Sequence, residues 1–179
     1  GCTLPTVSAG ETAGCYMWKV HKDAVSTTAK FRVKNRTAPF STLIATNGAS
    51  PNSFEIKKAF KLILPNGGEQ LPNGTFYDIK WEAYGTFNAN ELNIEYGTAA
   101  QMAGNPPDVA LGTSYNNATD CTPPTVTDGG GVGGCFDWSV PVPNVNLLVR
   151  LKETLSPNTE DLSDNVFEII GVLALVSPN

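Results

Sequence analysis

The sequence predicts an all-β protein, a chain of β-sandwich repeats in tandem with one complete and one partial. Three observations predict it. Apolar and polar residues alternate in short runs, and most of the 17 Gly and 13 Pro fall between those runs, as punctuation between strands does. The chain also echoes itself. Ser53-Phe54-Glu55-Ile56, followed by Phe60-Lys61-Leu62-Ile63-Leu64-Pro65-Asn66, returns as Val166-Phe167-Glu168-Ile169, followed by Leu173-Ala174-Leu175-Val176-Ser177-Pro178-Asn179. Phe54 and Phe167 lie 113 positions apart, as do Asn66 and Asn179. Cys2, Cys15 and Trp18 are answered by Cys121, Cys135 and Trp138, and Ala29-Lys30-Phe31-Arg32-Val33-Lys34 by Leu147-Leu148-Val149-Arg150-Leu151-Lys152. Nothing ahead of Gly1 answers Thr75 to Tyr96, so Trp81 has no twin. Residues 1–59 therefore read as the C-terminal half of one repeat, 60–171 as a complete repeat, and 172–179 as the first strand of the next.

The elements follow in order. Phe60 to Leu64 is an apolar strand ended by Pro65-Asn66-Gly67-Gly68, and Pro72-Asn73-Gly74 forms a second turn. From Thr75 to Trp81, Tyr77, Ile79 and Trp81 share one face against Phe76, Asp78 and Lys80. Leu92, Ile94 and Tyr96 alternate with Asn93 and Glu95, and a further strand spans Asp108 to Tyr115. Phe136, Trp138 and Val140 oppose Asp137 and Ser139. Leu147, Val149 and Leu151 oppose Leu148, Arg150 and Lys152, and Val166 to Ile170 closes the unit. About seven short strands with turn-rich connections predict a β-sandwich. Ala99-Ala100-Gln101-Met102 offers a single helical turn that Gly104 and Pro106-Pro107 stop. The expected core includes Trp18, Trp81, Trp138, Phe54 and Phe167.

Composition excludes several classes. A hydrophobic share of 41% supports a packed core, and a net charge of −5 without a basic run excludes tracking of a nucleic-acid backbone. No apolar run is long enough to span a bilayer, and because Gly1 is not an initiator any signal peptide or anchor is expected outside this sequence. The gaps of 13 and 14 residues between the cysteines, with His21 the single histidine, do not suit a metal site. Three connectivities are formally open. Repetition of the pair favours Cys2 with Cys15 and Cys121 with Cys135, each worth about 3 kcal/mol in the chain-entropy model. Such bridges point to an extracellular or cell-surface location.

The order Leu64-Pro65-Asn66-Gly67-Gly68-Glu69, Gly74-Thr75-Phe76-Tyr77-Asp78-Ile79-Lys80-Trp81, Asn93-Ile94-Glu95-Tyr96, Phe136-Asp137-Trp138-Ser139-Val140-Pro141, Val149-Arg150-Leu151 and Ser163-Asp164-Asn165-Val166-Phe167-Glu168-Ile169 resembles an Ig-like module. It is similar to the Ser/Thr-rich, GPI-anchored cell-wall family of fungi and its relatives in large secreted bacterial and archaeal proteins, whose repeats open with a Ser-Pro-Asn-Gly-Gly-Glu type phrase. The resemblance covers 62–171 and the Cys15 to Ile56 half of the preceding copy. It implies an Ig-like sandwich serving as spacer, stalk, adhesive or accessory domain, with no shared catalytic residues. The chain departs from the pattern in its cysteine pairs and in the segment 128–134, read as a flexible connection clamped by Cys121 and Cys135.

No catalytic constellation emerges. His21 reads as a lone surface histidine. Glu69, Asp78, Glu82, Glu91 and Glu95 could meet across a groove, but Asp78 and Glu95 occupy outward positions of adjacent-looking strands, where a sandwich needs polar residues. Glu160, Asp161 and Asp164 form the densest acidic cluster, in a loop before the last strand. Calcium is disfavoured there because the matching stretch Asn47 to Asn52 has no carboxylate. Asn35, Asn73 and Asn117 open glycosylation acceptor triplets in or beside turns. Pro39, Phe40, Leu43 and Ile44 are expected to pack beneath their loop or on the next domain.

A non-enzymatic, cofactor-free role is expected: a structural repeat segment of an extracellular filament, stalk or surface-layer protein, with neighbouring repeats or copies of itself as partners. The alternative is an adhesin or carbohydrate-binding module in which Tyr84, Phe87 and Tyr115 bind surface glycans. Residues 1–59 leave Tyr16, Trp18, Phe31, Val33, Phe54 and Ile56 on faces that need covering. A longer repeat chain supplies that cover more completely than exchange of the single strand Leu173 to Ser177.

Overall fold

A computed structural model describes residues 2–10, 12–21, 24–33, 48–50, 52–87, 90–113, 118–119, 121–126, 131–155 and 159–173. The N-terminal part carries four short strands, β1 (Ser26–Ala29), β2 (Arg32–Val33), β3 (Gly48–Ala49) and β4 (Phe54–Ile56), paired antiparallel as β1 with β4 and β2 with β3. The remainder is a two-sheet β-sandwich. One sheet orders β10 (Ala118–Thr119), β11 (Val132–Ser139), β7 (Phe76–Tyr84) and β5 (Ala59–Leu64). The other orders β6 (Gln70–Pro72), β14 (Phe167–Ile170), β12 (Asn144–Glu153), β8 (Leu92–Thr98) and β9 (Asp108–Thr113), with β13 (Glu160–Leu162) also on β12.

Period-two alternation puts one face of each long strand into a common core. Ile79 and Trp81 of β7 and Trp138 of β11 meet Ile94 of β8, Leu147, Val149 and Leu151 of β12, and Phe167 of β14. The Trp138 ring lies 5.2 Å from that of Tyr96 and 6.2 Å, edge-on, from that of Phe167, so the two sheets interlock through aromatic contacts. Of the five expected core aromatics, Trp81, Trp138 and Phe167 are buried, while Trp18 is 42% exposed and Phe54 half-buried. Both belong to the N-terminal part, whose described strands form only two-stranded sheets.

The first strand of the complete unit divides between the sheets. β5 pairs with β7, the chain turns at Leu64-Pro65-Asn66-Gly67-Gly68, and β6 then pairs parallel with β14. The Pro-Asn-Gly-Gly-Glu phrase explains itself here. The Glu69 carboxylate accepts from the N–H groups of Asn66 and Gly67 at 2.8 and 2.7 Å, and Gly68 N–H donates to the Val166 carbonyl. The Asn66 amide gives to Asp164 while its oxygen accepts from Asp164 N–H, both at 2.8 Å. The phrase thus ties the start of the unit to its end. Gly67 is required because its φ is +121° and a Cβ there would sit 2.3 Å from Asn165 Cβ.

Two expectations about segments need correction. The glycine-rich stretch read as loop over 128–134 is strand β11 from Val132 onward, in register with Ala83, Glu82 and Trp81 of β7. Its glycines answer close approaches: a Cβ at Gly133 would lie 2.5 Å from the Pro124 carbonyl oxygen, and one at Gly134 would lie 2.4 Å from the Trp81 ring. The acidic stretch read as loop includes strand β13, because Asp161 has a structural task. Its carboxylate accepts from Leu62 N–H at 2.6 Å, where β5 bulges away from β7. The single helical turn is present as α1 (Ala99–Met102), with Thr98 and Gln101 forming a capping box.

Candidate functional site

The chemistry-bearing residues singled out in the sequence do not converge. Tyr84 donates its hydroxyl to Glu82, Glu82 also faces Lys61 at 3.8 Å, Asp78 pairs with Lys80 at 3.1 Å, and Glu69 caps its turn. The carboxylates also lie in separate sheets, since β7, with Asp78 and Glu82, pairs β5 and β11 whereas β8, with Glu95, pairs β12 and β9. Glu95 is therefore neither adjacent to Asp78 nor solvated. It is buried, and the Arg150 Nε donates to it at 2.6 Å while Arg150 Nη1 donates to the Met102 carbonyl. Glu160 lies 3.9 Å from Arg150, and no group of three or more His, Cys, Asp or Glu among the described residues could hold a metal ion. Burial, then the charges of Glu69 and Asp78, hold the Tyr77 hydroxyl above its ordinary pKa, so it stays protonated at neutral pH.

Of the aromatics expected to form a glycan platform, one lies in the core. Phe87 is buried, stacked on Phe60 at 4.6 Å, and Tyr84 is half-buried; Tyr115 lies outside the described residues, as do Asn35, Asn117 and the stretch from Pro39 to Ile44. Asn73 is half-buried and its side-chain oxygen accepts from Val172 N–H at 3.1 Å. His21 is exposed. Both expected disulfides are formed, Cys2 with Cys15 and Cys121 with Cys135, at Cα separations of 6.0 and 6.2 Å.

What the structure does assemble is an exposed aromatic face on the N-terminal strands. Phe31 stacks on Phe54 at 4.8 Å, and Trp18 stands edge-on to Phe31 at 4.9 Å and to Phe54 at 6.4 Å. Trp18, Phe54 and Tyr84 line an open cleft of about 430 Å³ with His21 at its rim. Trp18 and Phe31 are 42% and 48% exposed, a cluster that a stable domain would ordinarily bury.

This face has a covered counterpart in the same molecule. β1 pairs β4 as Ser26 with Ile56 and Ala29 with Phe54; β12 pairs β14 as Asn144 with Ile169 and Leu147 with Phe167, each pairing with an irregularity between its two contacts. β2 pairs β3 as Arg32 with Ala49 and Val33 with Gly48, and β12 pairs β13 as Arg150 with Leu162 and Leu151 with Asp161. Phe31 N–H donates to Ser50 Oγ at 3.3 Å and accepts at its carbonyl from Ser50 N–H; Val149 and Ser163 do the same at 3.2 Å. The Trp18 to Phe54 geometry of 6.4 Å and 79° matches Trp138 to Phe167 at 6.2 Å and 88°. Every one of these pairs corresponds under the alignment that the sequence echo sets.

The joint between the two parts carries charge. Lys58 pairs with Glu153, lies 3.8 Å from Glu91, and sits 4.8 Å from the centre of the Phe87 ring. Glu153 is 1% exposed, so Lys58 neutralises a carboxylate that would otherwise be buried without compensation. Gly85, at φ +103°, leaves room for Lys58 and Val25 to close over it. Sequence reading missed this cluster, because Lys58 and Glu153 are far apart in the chain and neither belongs to a motif. Among the described residues no helix is long and apolar enough to cross a membrane. Comparison with protein-family models finds no match, and comparison with curated proteins finds none either.

Proposed function

We propose that the chain is a structural repeat segment of an extracellular filament, stalk or surface-layer protein, assembled linearly from disulfide-stapled Ig-like domains. The observation that carries this reading is the matched register of the two C-terminal halves: β1 to β4 repeat the pairings, the serine bonds and the Trp–Phe contact of β12 to β14. A chain that builds the same half-sandwich twice is organised as an array, and arrays of this kind serve reach and scaffolding. The Ig-like reading draws support from the division of the first strand between sheets and from the order β6-β14-β12-β8-β9 opposite β10-β11-β7-β5. The parallel β10–β11 and β6–β14 pairs are its departures from a fully antiparallel sandwich.

Two disulfides support an oxidising, extracellular or cell-surface setting. Catalysis has no part in this reading, since each carboxylate considered for it is engaged in a turn or an ion pair. The short joint, braced by Lys58 and Glu153, supports closely coupled neighbours and a semi-rigid axis. Electron microscopy of the cell-surface material that carries the chain, labelled with antibodies against residues 60–171, tests the reading. Regular filaments with an axial repeat of one domain are expected. Dispersed particles that bind glycans would replace this function with the adhesin alternative.

A further inference from the structure

Resting on the repeat reading, we infer that the exposed Trp18–Phe31–Phe54 face receives the first half of another repeat, of the same kind as residues 60–120 and joined ahead of Cys2 as that half is joined ahead of Cys121. The molecule itself shows what such a face takes. In the complete unit the same positions are held by Trp138, Val149 and Phe167, all buried, because β7, beside Trp138 in its own sheet and in the sheet opposite Val149 and Phe167, adds Ile79 and Trp81 to the core they share. The segment around Trp138 is a strand because β7 lies beside it in antiparallel register. The segment around Trp18 already seats its ring on Phe54 at nearly the same distance and angle, yet residues 12–21 form no strand. Among the described residues no β7-type neighbour lies beside it.

Charge identifies the second arriving strand. Arg32 holds the place of Arg150, and in the complete unit Arg150 is paired with Glu95 of β8, the strand beside β12 on the edge away from β13. Arg32 is exposed on the corresponding strand. The incoming hairpin therefore carries a large aromatic residue where β7 has Trp81 and a carboxylate where β8 has Glu95. Its point of attachment follows from the disulfides. In the complete unit β10 lies beside β11 and the chain then enters Cys121, which is bonded to Cys135 of β11; Cys2, bonded to Cys15 just ahead of Trp18, stands at the equivalent entry.

The test extends the full chain by placing its own residues 60–120 directly before Cys2, with Gly1 removed. Both chains are labelled with 5-fluorotryptophan, and the Trp18 fluorine signal is assigned by its loss in Trp18→Phe. In the 179-residue chain this signal should show the H2O/D2O solvent shift of an exposed indole. In the extended chain that shift should be lost, as is expected for the buried Trp138, and the amides of β1 and β4 should become protected from exchange. Glu95→Lys in the appended copy alone, which sets a lysine against Arg32, should restore the exposed signal. An extended chain in which Trp18 keeps its full solvent shift overturns the proposal. So does a 179-residue chain that already buries Trp18 and sediments as a dimer, because the face would then be a contact between copies. All readouts are taken on isolated molecules, so failure to form filaments leaves this proposal standing, and failure here leaves the electron-microscopy result intact.

Discussion

At the scale of single residues, the glycines of β11 and of the β5–β6 turn show how a residue type that suggests freedom can instead mark a tight contact. Gly134 lies against the fully buried Trp81 indole, and a single methyl group added there meets the ring at 2.4 Å. Gly104 lies after α1 with nothing nearer than 3.7 Å to such a methyl. Gly134→Ala should therefore cost about 1–3 kcal/mol of stability through overpacking, while Gly104→Ala should stay within about 0.5 kcal/mol of the parent. Urea denaturation followed by tryptophan fluorescence measures both. Equal midpoints for the two variants would mean that β11 does not approach Trp81 as described. Composition alone could not separate these glycines, since the sequence presents 17 of them and the distinguishing neighbour is distant in the chain.

At the scale of elements, the strands were legible where alternation was clean and obscured where a polar residue was buried. β12 was readable from Leu147, Val149 and Leu151, and β8 from Leu92, Ile94 and Tyr96. β7 runs on to Tyr84, past the expected end at Trp81, because Glu82 is buried with Tyr84 and Lys61 as partners and so hides the alternation. β13 was concealed by the half-buried Asp161, whose carboxylate is turned to Leu62 N–H. Pairing was beyond local pattern altogether: β7 and β8 are consecutive and looked adjacent, yet they belong to opposite sheets because each finds its register with a strand much later in the chain. Arg150 and Glu95 are the polar expression of that register. Both side chains are largely buried, at 13% and 11% exposure, so Arg150→Ala strands a carboxylate between β8 and β12. The expected loss is about 3 kcal/mol. The double variant Arg150→Met with Glu95→Leu should lose less than Arg150→Ala alone, since no charge remains buried. Thermal denaturation of the three proteins decides this, and a double variant weaker than the single one would show that the pair itself stabilises the β8–β12 ladder.

At the scale of the whole molecule, the two disulfides stand at positions matched by the internal sequence echo but close loops in different surroundings. Cys121–Cys135 closes a loop between β10 and β11, and Cys135 is fully buried beneath the complete sandwich. Cys2–Cys15 closes a loop of similar length whose described residues are almost all exposed and form no strand. Loop-closure entropy would give both bridges about 3 kcal/mol, but a cross-link stabilises only a state that the cross-linked loop helps to form. Cys121→Ala with Cys135→Ala should therefore lower the main unfolding transition by about that amount, while Cys2→Ala with Cys15→Ala should leave it unchanged. The contrast changes when residues 60–120 precede Cys2. A second sandwich is then expected to form over Trp18 and Phe54, and the same removal of Cys2 and Cys15 should weaken its transition by about 3 kcal/mol. Calorimetry on the parent, the two double variants, the extended chain and its Cys2/Cys15 variant reads both effects. A Cys2–Cys15 bridge that contributes equally with and without the preceding half would mean that the N-terminal segment folds without a covering sheet, and its aromatic face would then be a surface in its own right.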